Sequence, residues 1–193
     1  MIERIQKHIQ RSIETKQQIL NDSALLQILL DAASACAQSL RQGGKILFAG
    51  NGGSASDAQH ISAELVGRYR QERPSLAAIA LTTDTSALTA IGNDYGYEEV
   101  FARQVRGLAN AGDILVGIST SGNSANILKA VAAAREKGCR VVGLSGPGGK
   151  LKECSDYCLC VPNPVTATIQ ESHIMLGHLL CDLIEKQLYP ELE

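Results

Sequence analysis

The run Gly117-Ile118-Ser119-Thr120-Ser121-Gly122-Asn123-Ser124 concentrates hydroxyl groups between an apolar stretch and a helical one. Residues 114–118 have the short apolar character of a buried strand, and residues 125–137 have a helix-forming composition. Hydroxyls and free backbone N–H groups therefore meet at a helix N-terminus, whose partial positive charge favours an anion. The run holds no Lys and lacks the Gly-Lys-Ser/Thr ending of a triphosphate-binding loop, so it suits a phosphate monoester rather than nucleotide hydrolysis. Ser and Asn are also ordinary helix N-caps. Three consecutive hydroxyls at Ser119, Thr120 and Ser121 exceed what one cap uses.

Two further groups of residues can do chemistry. In Asp57-Ala58-Gln59-His60-Ile61-Ser62-Ala63-Glu64, His60 and Glu64 are four apart and share one helix face. Such a pair can hold a metal ion or exchange protons with a substrate, although a solvated surface pair has the same spacing. Near the C-terminus, Gln170-Glu171-Ser172-His173 is followed by His178. Gln170 and His173 are one helical turn apart. Gln170 and His178 are separated by about 12 Å of rise and about 80° of rotation. Spacing alone favours His173 as the partner of Gln170. A joint role for Gln170 and His178 requires that they lean together, that the helix distorts, or that they come from different subunits.

The surrounding pattern says what positions these groups. Residues 2–20 and 23–40 have helical apolar spacing, with Asn21-Asp22-Ser23 as turn and cap. Strands are expected at 45–50, 77–81, 114–118, 140–145 and 157–161. Helices are expected at 57–69, at a segment ending near Gly92-Asn93-Asp94, and at 98–109, 125–137 and 166–188. Gly146-Pro147-Gly148-Gly149 breaks the chain. Short apolar strands alternating with helices indicate a parallel sheet covered on both faces. Such sheets bind ligands at the carboxyl ends of their strands, where the loops 51–56 and 119–124 fall.

Composition excludes several classes. The 193 residues are 45% hydrophobic and 20% charged, with a formal net charge of -2 and no basic block, so nucleic acid and anionic membrane surfaces find no electrostatic footprint. No apolar run is expected to reach the ~20 residues of a membrane span. The polar, amphipathic start lacks a signal-peptide core, and a cytoplasmic location is expected. The six cysteines form no CxxC pair, which excludes a zinc ribbon and leaves small hydrophobes with reduced thiols.

Taken together, these residues resemble the phosphoheptose isomerases of the sugar-isomerase (SIS) domain superfamily. The resemblance covers essentially the whole chain. It runs through Gly50-Asn51-Gly52-Gly53-Ser54, His60 with Glu64, Gly67-Arg68-Tyr69, Arg73-Pro74, Gly92-Asn93-Asp94, the hydroxyl run and Ile169-Gln170-Glu171-Ser172-His173 with His178. It implies a flavodoxin-like three-layer αβα sandwich with a five-stranded parallel sheet, preceded by N-terminal helices. It further implies a single domain over 1–193, whose first 42 residues form a helical hairpin used in oligomerisation, and a homotetramer with sites at subunit boundaries. Each subunit would hold one Zn2+ through His60, Glu64, Gln170 and His178, so the resemblance selects His178 where spacing favours His173. The implied substrate residues are Asn51, Gly52, Gly53, Ser54, Glu64, Arg68, Asn93, Asp94, Ser119, Thr120, Ser121, Ser124 and Gln170. The implied reaction interconverts D-sedoheptulose 7-phosphate and D-glycero-D-manno-heptose 7-phosphate by enediol proton transfer, with Glu64 and His178 catalytic. That is the first step toward activated heptose for lipopolysaccharide or surface glycans.

One relative of the same fold is not an enzyme but a partner of the replication initiator DnaA. The chain resembles it in Glu72-Arg73-Pro74-Ser75-Leu76 and Leu180-Cys181-Asp182-Leu183-Ile184. That branch departs from the isomerases at the positions of Glu64 and His178, both of which are present here. A sugar-phosphate sensor without turnover is the third reading.

Overall fold

A computed structural model describes residues 1–191; the last two residues of the expected 1–193 domain lie outside it. Five parallel strands form one sheet in the order β2-β1-β3-β4-β5: β1 (Ile46–Gly50), β2 (Ala78–Ala80), β3 (Ile114–Ser119), β4 (Arg140–Ser145) and β5 (Tyr157–Cys160). Alternate residues of β1, β3 and β4 enter different cores. Ile46 and Phe48 pack under α2 (Ser23–Arg41), α3 (Gly53–Val66) and α8 (Thr166–Leu188). Leu47 and Ala49 pack under α5 (Val100–Leu108) and α6 (Ala125–Glu136). The period of two along the strands thus demands helices on both faces, giving the expected three-layer sandwich.

The strand order places a switch point between β1 and β3. The chain leaves β1 for β2 on one side and later returns to β3 on the other, so the loops after β1 and β3 diverge and open a crevice. Asp113 fixes the entry to β3 by accepting from the backbone N–H groups of Lys45 and Asn110 and pairing with Lys45 Nζ at 2.6 Å. The side chains of Asp22 and Asp84 cap α2 and α4 (Thr85–Tyr95) by accepting from Leu25 N and Ala87 N.

Several boundaries differ from the sequence expectation. Helix α3 begins at Gly53 rather than Asp57 and ends at Val66, because Gly52 adopts φ +56° and turns the chain directly into the helix. A 3-10 turn (Tyr97–Glu99) precedes α5. A short α7 (Lys150–Cys154) follows Gly149 where only a break was expected; five residues are too few to show periodicity. Helix α2 is long and apolar enough, by length and composition, to cross a membrane, against the expectation that no segment would be. Its Leu25, Leu29, Ala32, Ala33 and Cys36 lie in the sheet-facing core, which accounts for that apolarity. Helix α1 (Ile2–Asn21) differs from α2: only Thr15 and Ile19 are buried, and Ile2, Ile5, Ile9 and Ile13 are exposed. All six cysteines are free; Cys36, Cys139 and Cys181 are buried and the others half-buried.

Candidate active site

Helices α3 and α8 run side by side in register. Gly53 lies against Gln170, and seven or eight residues further along each helix His60 meets His178 and Ile61 meets Gly177. Two glycines permit this close approach. A Cβ on Gly53 would fall 2.6–2.9 Å from the Gln170 amide, and one on Gly177 would collide with Ile61.

At the far end of this seam, His60 Nε2 lies 2.9 Å from His178 Nε2 and 3.2 Å from Glu64 Oε1. One ligand atom from each of the three residues falls within 4.8 Å of the others. Two imidazole nitrogens at that distance share a proton or a common cation, since two bare lone pairs repel. Two imidazoles and a carboxylate suit a divalent ion of borderline softness. His178 is also stacked on Tyr69, with centroids 5.4 Å apart and planes at 17°.

Gln170 sits about two turns before His178 on α8. Its Nε2 donates to Asp57 Oδ1 at 3.3 Å. Asp57 is buried, its Oδ2 has no hydrogen-bond partner among the described residues, and burial lifts its carboxyl above the ordinary range despite the Gln170 bond and the nearby His60. Sequence reasoning did not single out Asp57, although its place one turn before His60 on the same face was available as a signal. The preference for His173 is overturned. His173 is fully buried, donates through Nε2 to the Ser145 carbonyl at 3.0 Å, and is pushed by burial down to about 4. It is a neutral core imidazole directed at β4, away from the seam.

The hydroxyl loop closes the carboxyl end of β3. Ser119 Oγ is 3.0 Å from Ser124 Oγ and 3.4 Å from Ser121 Oγ. Ser124 is the N-cap residue of α6, but its side chain makes no capping bond, so the hydroxyl is not used to start the helix. The first N–H groups of α6 have no intrahelical acceptor. A reciprocal amide pair ties this loop to the one after β1: Asn51 Nδ2 donates to Asn126 Oδ1 at 2.9 Å, and Asn126 Nδ2 to Asn51 Oδ1 at 2.8 Å. Gly52, Gly53 and Ser54 follow at the start of α3, so two helix N-termini flank the crevice. Thr120 and Ser121 complete the loop, whose Thr120 carbonyl accepts from Gly146 N.

The remaining residues make contacts of their own. Arg68 lies just beyond α3, exposed and 3.4 Å from Glu72. Asn93 and Asp94 occupy the last turn of α4, exposed and bonded to each other at 2.8 Å. Tyr97, shortly after them, donates to Asn51 Oδ1 at 3.3 Å.

Residues 4–146 match the SIS domain. The chain is 52% identical over 186 residues to a phosphoheptose isomerase of Aneurinibacillus thermoaerophilus, covering 96% of this chain and 94% of that one. Its structure is similar to that of a phosphoheptose isomerase from Neisseria gonorrhoeae, with a TM-score of 0.89, 52% identity, and coverage of 95% of this chain and 98% of that one. It is also similar to one from Francisella tularensis, with a TM-score of 0.92, 41% identity, and coverage of 96% and 98%.

Proposed function

The chain belongs to the SIS-domain family of phosphoheptose isomerases, and from that premise we propose that it interconverts D-sedoheptulose 7-phosphate and D-glycero-D-manno-heptose 7-phosphate. The observation that carries this reading is the convergence of His60, Glu64 and His178 on the same α3–α8 seam whose other end meets the Gly52–Gly53 turn. Seven residues of α3 separate Gly53 from His60, on the order of 10 Å, a separation suited to an extended sugar phosphate. In this reading the phosphate is bound by Ser119, Thr120, Ser121 and Ser124 with the N–H groups at the starts of α3 and α6. Asn51, Gly52, Gly53, Ser54 and Gln170 line the sugar.

Glu64 then removes the C1 proton of the open-chain ketose while His178 gives the proton of its Nδ1 to the C2 oxygen, its Nε2 being left for the metal, leaving an enediol. Glu64 returns its proton to C2 and His178 takes the proton of the C1 hydroxyl, which yields the aldose with both groups restored. Each positioned acid or base is worth ~10²–10⁴-fold. His60, Glu64 and His178, with the amide oxygen of Gln170, would hold one Zn2+, which when bound supplies Lewis-acid polarisation of the carbonyl. Glu64 has two oxygens, and Oε1 is the one 3.2 Å from His60 Nε2. This leaves Oε2 as the proton acceptor, so ligation and base catalysis need not compete for one atom.

The apolar stripe of Ile2, Ile5, Ile9 and Ile13 supports an oligomer, proposed here as a homotetramer. Arg68, Asn93 and Asp94, exposed in the single chain, would complete the site at a subunit boundary. A cytoplasmic location and entry into activated-heptose synthesis belong to the same proposal. The reading as a DnaA partner gains no support from the relatives compared, which are named for the isomerase.

The test is incubation of purified protein with sedoheptulose 7-phosphate, with and without a chelator, followed by detection of the aldose. Product that is lost on chelation and regained with zinc supports the enzyme and the metal together. An absence of product from zinc-loaded protein overturns the proposal.

A further inference from the structure

The segment between α3 and β2 has no regular structure, yet a buried ion pair fixes its path. The side chains of Arg73 and Glu185 are 0% and 2% exposed, with Nη2 2.8 Å from Oε1. Arg73 Nε donates to Glu185 Oε1 at 2.9 Å, Nη1 to the carbonyls of Leu65, Gly67 and Pro74, and Nη2 to the carbonyl of Glu64. Glu185 accepts the three successive N–H groups of Tyr69, Arg70 and Gln71 at 2.9, 3.1 and 3.2 Å. Burial opposes its charge, but these N–H groups and Arg73 outweigh burial and hold the carboxyl below its ordinary value. A buried ion pair repays its desolvation only when its remaining donors and acceptors are bonded, as they are here. The result is a rigid backbone at Tyr69.

That rigid backbone presents one ring to the site. Tyr69 stacks face-on against His178 at 5.4 Å and 17°, while His60 meets the same imidazole edge-on at 5.1 Å and 74°. The imidazole is clasped from two directions. We propose that Tyr69 is a positioning residue for His178. The Arg73–Glu185 clamp seats its ring flat on the imidazole, and this holds Nε2 toward His60 and Glu64. The inference rests on the proposed role of His178 and adds to it the groups that fix its orientation.

The clamp grips Tyr69 through its main chain, so the side chain can be changed without disturbing the grip. Two variants separate ring from bulk: Tyr69→Phe keeps the flat face, and Tyr69→Leu keeps an apolar side chain without one. Zinc affinity is measured by competition with a chromophoric chelator, beside kcat, KM and melting temperature. Tyr69→Leu is expected to lose about tenfold in zinc affinity and about tenfold in kcat, with KM within about twofold and the fold intact. Tyr69→Phe is expected to match the parent in all of these. Parental zinc affinity and kcat in Tyr69→Leu overturn the proposal, and so does a Tyr69→Phe variant as impaired as the Leu one. If the parent itself fails to isomerise heptose phosphate but Tyr69→Leu still weakens zinc binding relative to Tyr69→Phe, the positioning stands and the functional reading is what fails.

Discussion

Removing one hydroxyl from the loop after β3 separates binding from folding. In Ser124→Ala the folded protein loses a neutral hydroxyl pair, the 3.0 Å contact with Ser119 Oγ, and no capping bond, because Ser124 makes none. A neutral hydrogen bond of this kind is worth about 1 kcal/mol net. For a domain of this size that lowers the melting temperature by about 2–4 °C. A bound phosphate would lose more, because a hydrogen bond to a charged group is worth about 1.5–3 kcal/mol. At tenfold per 1.4 kcal/mol, KM should rise about 10- to 100-fold. The reacting carbons lie at the other end of the sugar, so kcat should change by no more than about threefold. Ser119 and Ser124 touch each other, so their alanine variants should be non-additive in KM. The assay is initial rate against sedoheptulose 7-phosphate concentration, with inorganic phosphate as a ligand in thermal melts. A lowered melting temperature with unchanged KM and unchanged stabilisation by phosphate would refute the assignment of this loop.

Gly53→Ala puts a Cβ within 2.6 Å of the Gln170 amide, the movable end of a side chain, so the fold should hold while Gln170 is pushed from Asp57. We expect a melting temperature within about 2 °C of the parent and zinc affinity reduced about tenfold by chelator competition. His173 titrates near 6.5 when unfolded but only at about 4 in the fold. The unfolded chain therefore binds the extra proton first, and stability falls as pH drops from 6.5 toward 4, by up to ~3 kcal/mol. Urea midpoints across that window measure the slope, which His173→Gln should flatten while keeping a donor for Ser145.

The sandwich was legible because each strand is a short apolar run and each loop carries its own punctuation. The hydroxyl run and the His60–Glu64 pair were legible as local patterns. The choice between His173 and His178 was not, because one helix does not reveal which of its faces a second helix will cover. His173 is five residues from His178, which turns it about 140° around α8 and into β4. The parallel register of α3 and α8, set by Gly53 and Gly177, decides the matter and belongs to packing rather than to spacing. The roles of Asp57 and Tyr69 are hidden for the same reason: each acquires its role from a residue more than a hundred positions away. The start of α3 was misplaced because Gly52 looks like loop in sequence, yet its positive φ delivers the chain straight into a helix.

The central claim is that Glu64 moves the carbon proton of a heptose phosphate. The most direct measurement is the initial rate of D-glycero-D-manno-heptose 7-phosphate formation by Glu64→Gln beside the parent chain. Both proteins would be zinc-loaded and shown to share oligomeric state and phosphate binding. A base removed from its place should lower the rate by ~10²–10⁴-fold. Turnover near that of the parent would contradict the account.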